Sequence, residues 1–345
     1  MRAAVLRAYR ADLAIEQLAE PECPVDGVVL QVLACGVCRS DYHGWAGDHA
    51  RVTPGQVLGH EYCGEVLEAG ARSGWKPGDR VLAPFILACG SCPSCRSGQS
   101  NTCPDQRLPG FTQSGAFAER IAVPFDHNLV RLPDSLTPAL AAGLGCRVTT
   151  AWHALTGRAA LQAGEWLAVH GTGGVGLATL LLGRAIGARV VVVDVVAEKL
   201  SHATGLGAEA AVDARDGDVA ARIVDITGGG AHVSVEALGT QATTNASLEC
   251  LRPLGRHVQV GMPTGASARM EINMNRVYMH NLALYGTRGM PAWRYPSLLG
   301  LIGAGRVDIR PMVAEEIALS GASAALRAFA GPTRPGVSVI TDFSS

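Results

Sequence analysis

One stretch limits the architecture more than any other: WLAVHGTGGVGLATLLLGRAIGARVVVVDVV, from Trp166 to Val196. WLAVH is strand-like, an apolar run closed by His170. GVGLATLLLGRAIGA carries helical periodicity up to Gly187, and RVVVV is a second strand. A strand, a glycine-rich turn, a helix and a second strand form the repeating unit of a parallel sheet, because parallel strands need a crossover between them. The rhythm continues. A helix is expected over AEKLSHATGL, and short strands recur at residues 210–212, 232–237, 256–261 and 282–286. Six strands with helices between them specify a doubly wound α/β sheet over residues 148–287.

The turn itself carries chemistry. Gly171, Gly173 and Gly176 stand in G-x-G-x-x-G spacing with Gly174 and Val175 between them. The first glycine makes the tight turn, the second lets the backbone approach a pyrophosphate, and the third allows close helix–strand packing. Free N–H groups at the helix start then face the phosphates. The next strand ends in Asp194, where a carboxylate accepts hydrogen bonds from the adenosine ribose hydroxyls and repels a 2′-phosphate. NAD is therefore expected over NADP. Lys199 either adds a ribose contact or is a solvated surface lysine.

Residues 1–147 have a different texture. Short alternating runs such as VVLQVLACGV and YCGEVLEAG, broken by Gly, Pro and Asp, read as strands of an antiparallel, barrel-like domain. Residues 288–345 turn irregular and are expected to pack back on that first domain. With 29 Lys+Arg against 30 Asp+Glu and no charge run, nothing invites nucleic acid or an anionic membrane. The N-terminus meets Arg7, Arg10 and Asp12 too early for a signal peptide. The most apolar stretch is interrupted by Arg184, Arg189 and Asp194, so it does not span a bilayer. A soluble, cytoplasmic protein is expected, and there thiols stay reduced.

In that setting CGSCPSCRSGQSNTC is a metal loop. Cys89, Cys92, Cys95 and Cys103 give C-x2-C-x2-C-x7-C, and short C-x2-C loops converge thiolates on one ion. The compartment disfavours disulfides. An iron–sulfur pattern of this kind wants three residues before its last cysteine, not seven. Zinc fits. Four thiolates fill a tetrahedral ion and leave no position for water or substrate, so this zinc is structural.

A second group is dispersed. Cys38 in ACGVCRSDYHGWAGD, His60 in GHEYCGEV and Cys146 in GLGCRVTTAWHAL are ligand types in loop positions. Singly, each would more often be a core thiol or a satisfied histidine, as Cys23, Cys35, Cys63 and Cys250 are expected to be. Taken in order, CRSDYH, GHExxG, the four-cysteine loop, GCRVTTAWHAL, GTGGVG and the strand-ending Asp194 resemble the zinc-dependent medium-chain alcohol dehydrogenases over nearly the whole chain.

The resemblance implies a GroES-like β-barrel catalytic domain (1–147), a Rossmann domain with a six-stranded sheet (148–287) and a C-terminal segment (288–345) returning to the first. It implies two zinc ions per chain. Cys38, His60 and Cys146 would hold the catalytic one, with Glu61 able to approach during ligand exchange and Asp41 orienting His60. An alcohol on such an ion becomes an alkoxide and gives hydride to NAD, yielding an aldehyde or ketone. Ser40 and His43 would relay the proton, although His43 also reads as an exposed loop histidine. Arg39 would lie near the pyrophosphate and Thr150 near the nicotinamide. Trp45, Phe85 and Leu108 would line an apolar substrate channel or belong to ordinary core.

Two departures stand out: His170 just before the glycine turn, and a tail, GPTRPGVSVITDF, without the family's Gly-Arg/Lys-hydrophobic ending. The family suggests a homodimer or homotetramer acting on a small-molecule alcohol. A polyol, sugar-alcohol or threonine dehydrogenase is the neighbouring reading, though such enzymes tend to carry a carboxylate where Cys146 stands. A non-catalytic NAD-binding relative is the more distant one.

Overall fold

The computed structural model describes residues 1–331 and 335–345, so Pro332, Thr333 and Arg334 of the tail lie outside the described residues. The chain forms two compact units, one of residues 1–149, 289–304 and 310–345, the other of residues 150–288 and 305–309.

The first unit opens with an antiparallel pair, β1 (Arg2–Val5) and β2 (Ala14–Gln17). Its larger sheet centres on β3 (Val28–Gly36) and β4 (Glu61–Ala69), antiparallel along their whole length. β5 (Arg80–Leu82), β6 (Arg120–Val123) and β7 (Val130–Arg131) are short. β5 extends the sheet from β4 to β7, while β6 pairs with β3. The β-branched and Leu residues that earned these runs a strand reading fill a core with Leu30, Leu58, Tyr62, Leu87 and Phe117 fully buried.

Helix α1 (Arg39–Ala46) follows β3 directly, so the β3 exit fixes the position of Cys38. α2 (Pro93–Arg96) is a single turn inside the four-cysteine loop. α3 (Pro138–Gly143) starts on a Thr137 cap with proline in its first turn. It runs into a π turn at Leu144–Val148, then α4 (Thr149–Trp152) and a second π turn at His153–Arg158. Such wide turns are rare in helices and cluster at functional positions. Cys146 sits in the first of them.

The second unit alternates strand and helix as the sequence leads one to expect. Its strands are β8 (Trp166–His170), β9 (Arg189–Asp194), β10 (Ala210–Asp213), β11 (Ala231–Glu236), β12 (Leu251–Gln259) and β13 (Ala283–Gly286). Between them run α5 (Gly174–Ile186), α6 (Ala197–Gly205), α7 (Val219–Thr227), α8 (Gln241–Glu249) and α9 (Met274–His280). All pairings are parallel, in the order β10-β9-β8-β11-β12-β13. The winding reverses between β8 and β11, and the glycine turn leaves the end of β8 at that switch point. β12 begins at Leu251, earlier than its RHVQVG core, through a register irregularity opposite Ala231–Val233.

Beyond the second unit, α10 (Tyr295–Gly303), β14 (Val313–Ala318), α11 (Ala322–Ala328) and β15 (Val337–Asp342) complete the chain. β15 pairs parallel with β14 and antiparallel with β3, so the tail forms a strand without the family's usual ending. Among the described residues no helix is long and apolar enough to cross a membrane.

Candidate metal centres and cofactor turn

The dispersed group assembles within the first unit. Cys38 sits at the mouth of α1, His60 and Glu61 at the start of β4, and Cys146 in the π turn. Their ligand atoms all lie within 4.8 Å of one another. Asp41, fully buried on α1, organises them: Oδ2 accepts from the Cys38 N–H at 2.9 Å, and Oδ1 accepts from the Gly59 N–H at 3.1 Å. The same Oδ1 lies 2.9 Å from His60 Nδ1, so that nitrogen carries the proton and Nε2 is the basic one. His60 Nε2 is buried with no hydrogen-bond partner.

Burial alone would push His60 down, but the charge and hydrogen bond of Asp41, helped by Cys38, carry it well above the ordinary histidine range. A hydrogen bond from Cys146 holds Cys38 well below the usual thiol range, and the same contact with burial pushes Cys146 well above it. Two thiols competing for one proton beside an orphaned imidazole nitrogen form a donor set that suits a soft or borderline cation. Three such donors match zinc with one position open.

Sequence reading missed the partner of Glu61. Burial pushes the Glu61 carboxyl up to about 8, against the opposing charge of Arg147. Arg147 Nη1 lies 3.0 Å from Glu61 Oε2, both side chains are buried, and Nη2 donates to the Val37 carbonyl at 2.6 Å. The available signal was a lone charge inside the otherwise uncharged run GLGCRVTTAW. Also missed was Phe111, whose ring lies 5.2 Å from that of His60; Phe85 stands at 5.7 Å.

The remaining residues of this unit fall around that centre unevenly. Ser40 Oγ is 3.8 Å from Cys38 Sγ. His43, half-buried, has Nδ1 3.6 Å from Asp48 Oδ2. The Arg39 guanidinium lies over the Phe329 ring at 5.4 Å. Trp45 donates its indole N–H to the Ala11 carbonyl at 2.6 Å, and both it and Leu108 pack in the core of the unit.

In the four-cysteine loop the sulfurs of Cys92 and Cys95 are 3.4 Å apart, Cys89 and Cys103 3.5 Å, and Cys92 and Cys103 3.8 Å. Ligands about 2.3 Å from one tetrahedral ion stand about 3.8 Å from each other, so the spacing fits zinc and is far too long for a disulfide of about 2.05 Å. Hydrogen bonds from the backbone of Ser91 and then Cys92 bring the Cys89 thiol down to about 6. Cys23, Cys35, Cys63 and Cys250 stand outside both groups.

In the second unit Gly171 makes its turn at φ +92, and Gly173 caps α5 without a side chain. A Cβ on Gly176 would stand 1.8 Å from the Gly171 carbonyl oxygen, whereas one on Gly173 would meet nothing within 4 Å. The third glycine is required by packing; the second faces open space at a helix N-terminus, a cradle suited to a pyrophosphate. Asp194 is already engaged. Oδ2 accepts from Thr172 N–H at 2.8 Å and its hydroxyl at 2.7 Å, and Oδ1 from Val195 and Val196 N–H at 2.8 and 3.1 Å. Lys199, half-buried, lies in the first turn of α6, Thr150 is buried in α4, and His170 is buried with Nε2 3.6 Å from Cys250 Sγ.

Residues 25–134 match the family model of the alcohol dehydrogenase GroES-like domain, and residues 174–303 that of the zinc-binding dehydrogenases. An alcohol dehydrogenase of Geobacillus stearothermophilus is 35% identical over 267 residues, 76% of this chain and 78% of that one. A D-arabitol-phosphate dehydrogenase of Enterococcus avium is 30% identical over 89% of this chain and 88% of its own length. Among solved structures, a zinc-binding dehydrogenase of Sinorhizobium meliloti 1021 bound to NADP superposes with a TM-score of 0.87 at 28% identity, covering 99% of this chain and 98% of that one.

Proposed function

The chain belongs to the zinc-dependent alcohol dehydrogenases of the medium-chain family, and on that premise we propose that it oxidises apolar primary or secondary alcohols with NAD, using a zinc held by Cys38, His60 and Cys146. Cys89, Cys92, Cys95 and Cys103 would hold a second, structural zinc. The observation that carries this reading is the orphaned His60 Nε2, aimed by Asp41 into a set of two sulfurs and a carboxylate.

When bound, zinc supplies a Lewis acid that polarises an alcohol oxygen, and the nicotinamide supplies the hydride acceptor. The chain supplies the rest. Cys38 and Cys146 would bring two negative charges to neutralise a divalent ion, and Arg147 stands against the Glu61 carboxyl, opposing the burial that pushes it up. Held by Arg147, Glu61 stays an outer carboxylate and does not seal the open position. Ser40, next to Cys38, would accept the proton of the alcohol at Oγ while releasing its own hydroxyl proton toward His43, further along α1, which would pass it to water. Phe85 and Phe111 flank His60 and exclude water from the reacting carbon.

For the cofactor, both oxygens of Asp194 already carry two hydrogen bonds, which fills the lone pairs of a carboxylate. Discrimination against a 2′-phosphate therefore rests on the negative charge of Asp194, and a ribose hydroxyl displaces or shares one of these bonds. Asp194→Ala should weaken NADH and raise relative activity with NADP; an unchanged NAD preference would remove that role.

The relative acting on arabitol phosphate supports a second reading, a polyol or polyol-phosphate dehydrogenase. The aromatic walls favour the first. Rates with hexanol and benzyl alcohol against sorbitol and arabitol phosphate decide between them, and a clear preference for either polyol overturns our choice. All ten cysteines are unpaired, which supports the cytoplasm as location. Exposed Met274, Tyr278 and Met279 on α9 support self-association into a homodimer or homotetramer, which the mass of the native enzyme in solution would test.

A further inference from the structure

We infer that Glu236, a buried carboxylate far from either metal centre in sequence and outside both donor sets, is a positioning residue for the dinucleotide. The inference rests on the cofactor reading above. Glu236 ends β11 and is fully buried, yet among the described residues it forms no ion pair. An isolated charge in the interior is costly unless hydrogen bonds to its charged form compensate. Here they do. Oε1 accepts from Leu238 N–H at 2.9 Å and from the Thr243 hydroxyl at 2.7 Å. Gly239 N–H reaches both oxygens, at 2.9 and 2.8 Å, and the Gln259 amide donates to Oε2.

Leu238 and Gly239 lie in the loop after β11, Thr243 in the first turn of α8 and Gln259 at the end of β12, so the carboxylate ties together two loops at one end of the sheet. The first follows β11 and carries Leu238, which is half exposed. A Cβ on Gly171 would stand 2.7 Å from Leu238 Cγ, so Leu238 packs over the first glycine of the phosphate turn. The second loop follows β12. Its Val260 and Gly261 N–H groups donate to the Glu236 backbone carbonyl at 2.9 and 2.8 Å, and the Gln259 amide also donates to the Gly261 carbonyl at 2.9 Å. A Cβ on Gly261 would stand 2.2 Å from Gly239 N and 2.6 Å from Glu236 Oε2, so the two loops touch backbone to backbone. Leu238, Met262 and Val195 are all exposed apolar side chains at the ends of their strands. The carboxylate thus clamps in advance the loops that present an apolar floor beside the glycine turn. Ordering them before the ligand arrives removes an entropic cost from binding.

The test uses Glu236→Gln, which keeps the shape and places an amide among donors, and Thr243→Val, which removes one donor from a half-buried helix position. Amide hydrogen exchange in the ligand-free enzyme reports the clamp, and NADH fluorescence titration reports the floor. Exchange at Leu238 and Gly239 should accelerate in both variants. NADH dissociation constant and cofactor KM should rise about tenfold or more in Glu236→Gln and about threefold in Thr243→Val, from hydrogen bonds to a charged group. With saturating cofactor, kcat should stay within about twofold of the parent and both zinc ions should be retained, a split that general destabilisation would not give.

Unchanged exchange overturns the clamp. Faster exchange with unchanged NADH affinity overturns the link to the cofactor. Should Glu236→Gln fail to fold, Thr243→Val decides alone. A parent that binds neither NADH nor NADPH sinks the cofactor reading and this one with it, whereas a parent that binds NADH beside variants that bind it equally well overturns only the role of Glu236.

Discussion

Two groups of cysteine sulfurs occupy the same unit and differ in almost every other respect. The loop from Cys89 to Cys103 draws four sulfurs from one short polar segment, and three of the four cysteines are only half-buried. The other group takes Cys38, His60 and Cys146 from a helix mouth, a strand start and a π turn; Cys38, His60 and Glu61 are buried and Cys146 is half-buried. The first needs little from the rest of the molecule. The second needs a scaffold: Asp41 to aim the imidazole and Arg147 to restrain the carboxylate. A saturated donor set holds a loop together, whereas an unsaturated one has to be kept from saturating itself.

The sharpest test of that contrast pairs two equivalent substitutions. Cys146→Ser should remove one zinc and cut turnover at least about ten-thousandfold, because no Lewis acid remains. Cys95→Ser should also remove one zinc but lower the melting temperature instead, leaving kcat of the folded enzyme within about twofold. Equal loss of turnover in both, measured well below the melting temperature, would erase the distinction.

Arg147→Met comes next. It leaves the buried Glu61 carboxyl without its largest opposing charge, pushing it further up and toward the neutral form, and should destabilise the enzyme by about 1–3 kcal/mol in denaturant titration. In the cobalt-substituted enzyme the visible spectrum should shift as the freed carboxylate enters the coordination shell. The double variant with Glu61→Gln should recover much of the loss; if it recovers none, the pair is not the reason.

Asp41→Asn should cost about ten- to a hundredfold in zinc affinity at the dispersed site while leaving the cysteine loop loaded, as orientation of a ligand imidazole predicts. Chelator competition resolves the two ions, and equal weakening at both would break the comparison.

The effect that is smallest at neutral pH lies outside both groups. Burial, then the charge of His257, pushes His170 down to about 3. The unfolded chain, with histidine near 6.5, therefore binds a proton that the folded one refuses. Stability is unaffected above about pH 6.5 and falls as pH drops from there toward 3, by at most about 1.4 kcal/mol per pH unit from this group. His170→Leu should flatten that slope in acid titrations, and an unaltered slope would acquit His170.

The contrast also explains what could be read in advance. C-x2-C spacing is a local property, so the loop announces itself in the sequence. The six-stranded sheet does too, because apolar runs and glycine turns fix strands one at a time, and its winding follows. Cys38, His60 and Cys146 are joined only by the fold, and resemblance alone brought them together on paper. Arg147 and Glu236 had no such help: a buried charge is recognisable by its partners, and those come from other elements. Asp194 was legible as a carboxylate at a strand end, but not that its own neighbours would occupy its lone pairs. The irregular tail hid β15, since six alternating residues after a glycine say little until β3 offers an edge.

That last strand has a consequence for biosynthesis. Val37, next to Cys38, donates its N–H to the Ser338 carbonyl on β15 at 2.9 Å. A segment that leaves the ribosome late thus braces one that left early. The four-cysteine loop has all its sulfurs once Cys103 is made, whereas the strand edge beside Cys38 gains this brace only when Ser338 is made. A metal at the proposed dispersed site would therefore be the later of the two to have its full frame.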